Sequence, residues 1–288
     1  MTTEHPGSGS MVRRILLGSQ LRRLRESRGV TREEAGYSIR ASESKISRME
    51  LGRVSFKERD VADLLTLYGV TEPGERDALL GLAREANVTG WWHSYGDVLP
   101  AWFQTYVGLE EAAREVDTFE VQFVHGLLQT EGYARAVVRL GQPTAADAEV
   151  DRRVDLRMRR QKILLGDASP QFCVVLDESA LRRPFGGPEV MREQFRRLLE
   201  DSERPNVDLR VIPFEFGGHA AETGAFTLLR FPEPDVPDVV YLEQLTGALY
   251  LDKRDEVAQY AKVMDRLRTE ALPPEKTRDL LRAMLEQC

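Results

Sequence analysis

The chain has almost no cysteine. Cys173 and Cys288 are the only two in 288 residues, too few and too far apart for a disulfide framework, which suits a reducing compartment. Histidine is scarce as well: His5, His93, His125 and His219 do not cluster, and no Cys/His spacing fits a zinc site. No apolar run reaches the length of a membrane-spanning helix, and the opening MTTEHPGSGS lacks the apolar centre of a secretory signal. GxSxG, Walker A and GxGxxG are all missing. From these absences we expect a non-enzymatic, cytoplasmic protein with no catalytic residues, metal, cofactor or membrane segment, and a disordered tail over residues 1–10.

What the chain does have is a lopsided distribution of charge. Residues 11–60 hold 11 Arg and 2 Lys against 6 Glu and 1 Asp, a net +6. The whole chain is −7 and Glu4 is the only charge from Asp, Glu, Lys or Arg in residues 1–10, which leaves −12 on residues 61–288. A basic head on an acidic body is the footprint of a polyanion-binding module joined to something else. A solvated, Arg-rich helical surface is the plainer explanation that charge alone leaves standing.

Apolar spacing and turn residues divide residues 11–86 into five short helices. GSQLRRLRESRG (18–29) sets Leu21 and Leu24 one turn apart and stops at Gly29. Thr31 and Glu34 form a capping box for a helix over 31–38, Ser42 opens a helix over 42–50 that Gly52 ends, and Ser55 with Glu58 offers a further box. Val61, Leu64, Leu65 and Tyr68 mark the fourth helix, and Thr71 with Pro73 begins a fifth that runs to Ala86. Helix 31–38, a turn at 39–41 and helix 42–50 have the length of a helix-turn-helix, with Gly36 where the two helices must cross.

Projected on a helix, Ile46 and Met49 face inward. Ser44, Ser47 and Arg48 face the other way, flanked by Glu43 and Lys45. An Arg can bond guanine bidentately, and Ser can bond a base edge or a phosphate. Arg32, in the first turn of the preceding helix, and Arg53, just past the second, add cations for the DNA backbone. The expected DNA-binding set is therefore Arg32, Glu43, Ser44, Lys45, Ser47, Arg48 and Arg53.

LRRLRESRGVTREEAGYSIRASESKISRMELGR (21–53) resembles the lambda-repressor-like, XRE-type helix-turn-helix. The resemblance covers about residues 15–70. It implies groove-facing positions at Glu43, Ser44, Ser47 and Arg48, and a structural pair joining Arg25 to Glu50. Two positions depart from the family pattern. Arg32 replaces a common Gln, and Arg40 replaces the usual Gly in the turn, where a left-handed backbone costs an Arg about 1 kcal/mol.

Residues 87–108 hold all three tryptophans, Trp91, Trp92 and Trp102. We read this aromatic stretch as a packed connector, with a ligand or partner pocket as the alternative. Residues 109–288 alternate helical and strand-like runs. The strands expected are FEVQFV (119–124), FCVVLDES (172–179), VDLRVIPF (207–214), AFTLLRF (225–231) and DVVYLEQL (238–245), the last continued by ALYLD. They predict a mixed α/β (α+β) domain with a central sheet of four or five strands. RMRRQK (157–162) reads as a solvated helix face. FGGHAAETGAF (216–226) reads as a flexible loop exposing His219; a site built on His219 and Glu222 is the alternative.

WWHSYGDVLPAWFQTYVGLE, VHGLLQTEGYARAVV, RMRRQKIL, VLDESALRRPFGG and VVYLEQLTGALYLD are similar, in that order, to an actinobacterial regulator group in which an XRE-type head carries a Scr-type antitoxin-like domain. That resemblance spans nearly all of residues 88–285, with His125 where the group has Pro. It implies a transcriptional regulator, in some members paired with a small acidic partner protein. The expectation is a sequence-specific operator-binding protein, a homodimer on double-stranded DNA and nucleoid-associated, whose body senses a ligand or partner. The alternative is an antitoxin-like protein that sequesters a small partner and regulates its own operon.

Overall fold

The computed structural model describes residues 8–221, 224–234 and 236–288, which divide into two units. The first comprises Met1–Ser94, Gln104–Ala112 and Phe231–Val236; the second comprises Tyr95–Phe103, Ala113–Arg230 and Pro237–Cys288. Residues 1–7 of the expected tail lie outside the described residues, and Ser8 already belongs to a helix. Among the described residues no helix is long and apolar enough to cross a membrane.

The first unit contains α1 (Ser8–Ser27), α2 (Arg32–Ser38), α3 (Glu43–Glu50), α4 (Glu58–Leu67) and α5 (Pro73–Ala86), a 3-10 turn at Trp91–Tyr95, and most of α6 (Ala101–Ala112). Caps set the helix starts as the sequence predicts at two places. Thr31 and Glu34 make both bonds of a capping box, and the Ser42 hydroxyl accepts from the Lys45 N–H. The box expected at Ser55 does not form. α4 starts at Glu58 with Lys57 as an N-cap that makes no side-chain bond.

Leu17, Leu21, Ala35, Ile39, Ile46, Met49, Phe56, Val61, Leu64, Leu65 and Tyr68 belong to one buried core that ties the five helices together. Two glycines allow the helices to cross at backbone distance. A Cβ on Gly36 of α2 would sit 2.7 Å from the Ala41 carbonyl oxygen. A Cβ on Gly18, midway along α1, would sit 2.5 Å from the Met49 oxygen and 2.6 Å from the Glu50 oxygen at the end of α3. α1 runs ten residues further toward the N-terminus than the quoted 18–29 stretch, with Gly18 as an interior crossing point.

The turn between α2 and α3 keeps its left-handed residue. Arg40 has φ +56° and is the only non-glycine with positive φ among the described residues. The Ala41 N–H donates to Gly36 O at 2.8 Å and the Arg40 N–H to Tyr37 O at 3.1 Å, the bonding pattern of a Schellman cap with an arginine in the glycine position. The α3 end repeats this pattern with Gly52 at φ +65°.

The second unit is built on six strands: β1 (Glu115–Glu120), β2 (Gln171–Asp177), β3 (Val207–Ile212), β4 (Phe226–Arg230), β5 (Val239–Gln244) and β6 (Gly247–Leu251). Their order is β3-β2-β1-β4-β5-β6. β1, β2 and β3 run parallel, and β4, β5 and β6 continue as an antiparallel meander. The sixth strand arises because ALYLD folds back on β5 instead of extending it. β1 also starts earlier than FEVQFV suggests, since Phe119 points into the core and the chain leaves the sheet after Glu120. Its helices are α7 (Glu131–Gly141), α8 (Asp147–Arg160), the single turn α9 (Ser179–Arg182), α10 (Pro188–Asp201), α11 (Arg254–Glu270) and α12 (Pro274–Gln287).

Strand alternation gives the sheet two unlike faces. Phe119, Cys173, Val175, Phe226, Leu228 and Val240 form an apolar face packed with Met264 and Leu267 of α11. On the opposite face the strand register aligns Val174, Thr118, Thr227, Tyr241 and Tyr250 in one cross-strand row. That second face is largely apolar too, with Val116, Phe172, Leu176, Leu209, Val211 and Leu229 buried on it, and Thr118 and Thr227 are buried among them.

Arg40→Gly is expected to raise the stability of the first unit by about 1 kcal/mol by removing the left-handed strain. Gly36→Ala is expected to lower it by roughly 1–3 kcal/mol through overpacking. Gly81→Ala, in α5 with nothing within 4 Å of the added Cβ, is expected to raise it by about 0.5–1 kcal/mol. Urea unfolding of the three variants, followed by circular dichroism, checks all three signs.

Candidate nucleic-acid interface

The second helix of the helix-turn-helix, α3, is held from below by a buried carboxylate. Glu50 ends α3 with its side chain only 2 % exposed. Its Oε1 accepts from Arg25 Nε, and its Oε2 accepts from Arg25 Nη2 and from Arg32 Nε, both at 3.1 Å. Arg25 Nη1 also donates to Val30 O at 2.9 Å. Glu50 holds the Arg25 guanidinium above its ordinary pKa through these hydrogen bonds. One carboxylate thus fastens α3 to α1 and to the first turn of α2, and the pairing expected between Arg25 and Glu50 is present.

This geometry changes the part assigned to Arg32. It sits in the first turn of α2 as expected, but its Nε is committed to Glu50, so it acts first as the third member of the clamp. Lys45 changes more. Its ammonium lies 2.7 Å from Oδ2 of Asp60, a residue 3 % exposed on α4. A buried carboxylate needs a cation close by, and Lys45 supplies it, pinning α3 to α4. The helical projection placed Lys45 at the flank of the outer face and could not see this partner fifteen positions away.

The remaining predicted residues form the outward face of α3. Glu43, Ser44 and Arg48 are exposed, Ser47 is half-buried, and Ile46 and Met49 are each 1 % exposed on the inner side. Arg48 lies back along the helix, its Nε 3.4 Å from Ser44 O. Arg53 is exposed just beyond the α3 cap. Tyr37, on α2, is 87 % exposed, and the sequence reading passed over it. Flanked by Gly36 and Ser38 on a helix of seven residues, it has no apolar period that marks which side its ring takes.

Trp91 and Trp92 belong to the first unit and Trp102 to the second. Trp92 is 2 % exposed and wedged beside Gly90 and Gly108, where an added Cβ would come within 2.3 Å and 2.9 Å of its ring. Trp91 donates its indole N–H to Glu111 Oε2 at 3.2 Å. Trp102 belongs to the second unit, where its carbonyl accepts from the Tyr250 hydroxyl at 2.5 Å.

His219 departs from the expected exposed loop. Its side chain is 16 % exposed, its Nε2 lies 3.5 Å from Asp177 Oδ2, and its Nδ1 accepts from the Ala221 N–H. Its ring meets Phe119 edge-on at 4.9 Å between centroids. Glu222, its proposed companion, lies outside the described residues. RMRRQK is not a simple solvated face either. Arg157 donates to Gln129 Oε1 at 2.7 Å, and Arg160 is buried with its guanidinium 5.0 Å from the Phe103 ring centroid.

Residues 16–79 match a helix-turn-helix domain, so the first unit carries a helix-turn-helix of the DNA-binding, XRE-like kind. Residues 103–283 match a domain of unknown function (DUF5753). That match covers more than half of the chain, and the chain belongs to the DUF5753 family. No curated protein and no solved structure matches it.

Glu50→Ala strands Arg25 in a buried position without its partner and is expected to destabilise the first unit by about 3–5 kcal/mol. Arg32→Ala, at a site about one-third exposed, is expected to cost about 1 kcal/mol or less. Thermal unfolding of the two variants side by side tests the ranking.

Proposed function

We propose that this DUF5753 protein is a sequence-specific transcriptional regulator that binds operator DNA as a homodimer through the outward face of α3. The observation that carries the proposal is the Glu50 clamp. It fixes a short helix rigidly while leaving Glu43, Ser44 and Arg48 exposed on one side. A helix in that position fits a major groove, and a positive head supplies phosphate affinity. A second copy doubles a small reading surface into two half-sites. Arg48 and Ser44 read bases, with Glu43 and the half-buried Ser47 completing the face, and Arg53 contacts the backbone. Arg32 contributes to DNA only with what its bond to Glu50 leaves over.

The second unit senses a ligand or a partner and performs no catalysis in this reading. The protein acts in the cytoplasm, on the nucleoid. A second reading, an antitoxin-like adaptor that sequesters a small partner protein, is favoured by one surface feature: Leu245 is fully exposed at the β5–β6 hairpin and Leu249 is 54 % exposed beside it. Co-purification of a stoichiometric small protein, lost on Leu245→Glu with Leu249→Lys, supports that reading; an unaccompanied regulator excludes it.

Gel-shift titration on DNA upstream of the protein's own gene tests the main proposal. Arg48→Ala is expected to lower specific affinity by about 1–3 kcal/mol. Arg53→Ala is expected to weaken binding evenly across sequences and to lower the salt slope by about one unit. Lys45→Ala is expected to lower thermal stability while leaving sequence preference unchanged, because its ammonium serves Asp60. Unchanged specific affinity for Arg48→Ala overturns the groove assignment.

A further inference from the structure

The turn between α2 and α3 holds a charge that the free protein does not use. Of the cations between Thr31 and Arg53, Arg32 is bonded to Glu50, Lys45 to Asp60, and Arg48 to the Ser44 carbonyl of its own helix. Arg40 stands apart. It is exposed, and among the described residues its guanidinium has no ion pair within 4.0 Å and no hydrogen bond.

Its backbone is strained as well. The Arg40 φ is +56°, and every other positive φ among the described residues belongs to a glycine. The bonds that close the turn, Ala41 N–H to Gly36 O and Arg40 N–H to Tyr37 O, use backbone atoms only. A glycine makes the same two bonds without the strain. The arginine side chain therefore does nothing for the turn: it fills no core and meets no carboxylate. A side chain kept in a strained conformation with no contact of its own points to a contact outside the chain.

The place of the turn says what that contact is. In a helix-turn-helix the first helix crosses the sugar–phosphate backbone, and the second enters the major groove with its N-terminal residues at the base edges. The turn between them is where the chain passes from phosphate to base. Arg40 lies three residues before Glu43, the first residue of α3, so its charge sits at the lip of the groove that Glu43 and Ser44 enter. Arg53 lies just past the other end. The eight residues of α3 make about 12 Å of helix, close to the major-groove width of about 12 Å, and the two arginines bracket it.

We propose that Arg40 is a phosphate-contacting residue of the helix-turn-helix, holding the DNA backbone at the N-terminal end of α3 as Arg53 does at the C-terminal end. A guanidinium keeps its charge at any working pH, and its donor fork fits a phosphate. Phosphates are alike in every sequence, so Arg40 supplies affinity and register rather than base choice. Position 40 thus sets folding against binding: glycine there is better for the free protein and worse for the complex. This role rests on the DNA-binding function proposed above and adds to it a residue outside the set named there.

The test is an anisotropy titration of the full-length protein on two labelled duplexes, one from upstream of its own gene and one of unrelated sequence, over a range of salt. Arg40→Gly is expected to lower the slope of log affinity against log salt by about 0.9, which is about a fivefold loss at about 0.15 M salt. The loss is the same on both duplexes, while the midpoint of thermal unfolding rises. Arg40→Lys keeps the charge and is expected to retain the wild-type slope. Arg40→Asn tolerates the left-handed backbone without the charge and is expected to match Arg40→Gly in slope.

A wild-type slope in both Arg40→Gly and Arg40→Asn overturns the proposal. So does a loss confined to the upstream duplex, or an Arg40→Lys protein as weak as Arg40→Gly. Arg48→Ala, measured alongside, separates this residue from the wider reading. If Arg48→Ala lowers specific affinity while Arg40→Gly keeps the wild-type slope, Arg40 is wrongly assigned and the regulator stands. If the wild type binds neither duplex, the DNA-binding function fails and the role of Arg40 fails with it.

Discussion

The helix-turn-helix of this protein depends on one buried carboxylate. Glu50 is almost wholly removed from water, and it is tolerable there only because Arg25 from α1 and Arg32 from α2 both donate to it. The desolvation cost of such a group makes the arrangement close to all-or-none. If the three helices are docked, every charge is met; if α3 swings away, a guanidinium and a carboxylate are left exposed to an apolar core. The hydrophobic core sets the approximate packing of the five helices, and the Glu50 clamp selects one angle for α3 within it. Lys45 and Asp60 repeat the device on the other side, toward α4. A helix of eight residues has little stability of its own, so its rigidity comes from these two anchors together with Ile46 and Met49.

The second unit uses the same device: Asp201, buried at the end of α10, is met by Arg197 and Arg204. In the first, charge is consumed in fixing geometry, and what projects outward is a short set of polar side chains. In the second, the apolar face of the sheet seats α11, while the other face carries the row Thr118, Thr227, Tyr241 and Tyr250 among apolar side chains. Closed pairs hold the helices of the first unit in place.

Much of the head was legible in the chain. Thr31 with Glu34, Ser42 and Gly52 mark starts and stops through bonds between residues a few positions apart, and the structure places them as caps. Arg40 was identified as the awkward position of the turn and takes up the left-handed backbone that makes it so. The failures have a common cause. Ser55 and Glu58 carry the letters of a capping box, but the chain enters α4 at Lys57, with the Phe56 backbone just before it held by the Asn87 side chain. Gly18 carries no signal in the sequence of the close crossing it makes with the end of α3. Lys45 and Arg32 look like DNA cations because their partners, Asp60 and Glu50, lie fifteen and eighteen residues away.

By itself the sequence determined the division into a basic helical head and an acidic α+β body, the helix-turn-helix and its inward and outward sides, and the strand-rich character of the body. These follow from charge counts, apolar periods and caps, all of which are local. Tertiary structure alone decided that Arg32 and Lys45 are committed to Glu50 and Asp60, how many strands the sheet has, and that Arg157 and His219 turn inward. Each of those depends on desolvation by residues distant in the chain. A charged side chain has one meaning in water and another beside a buried carboxylate, and only the folded arrangement says which environment it meets.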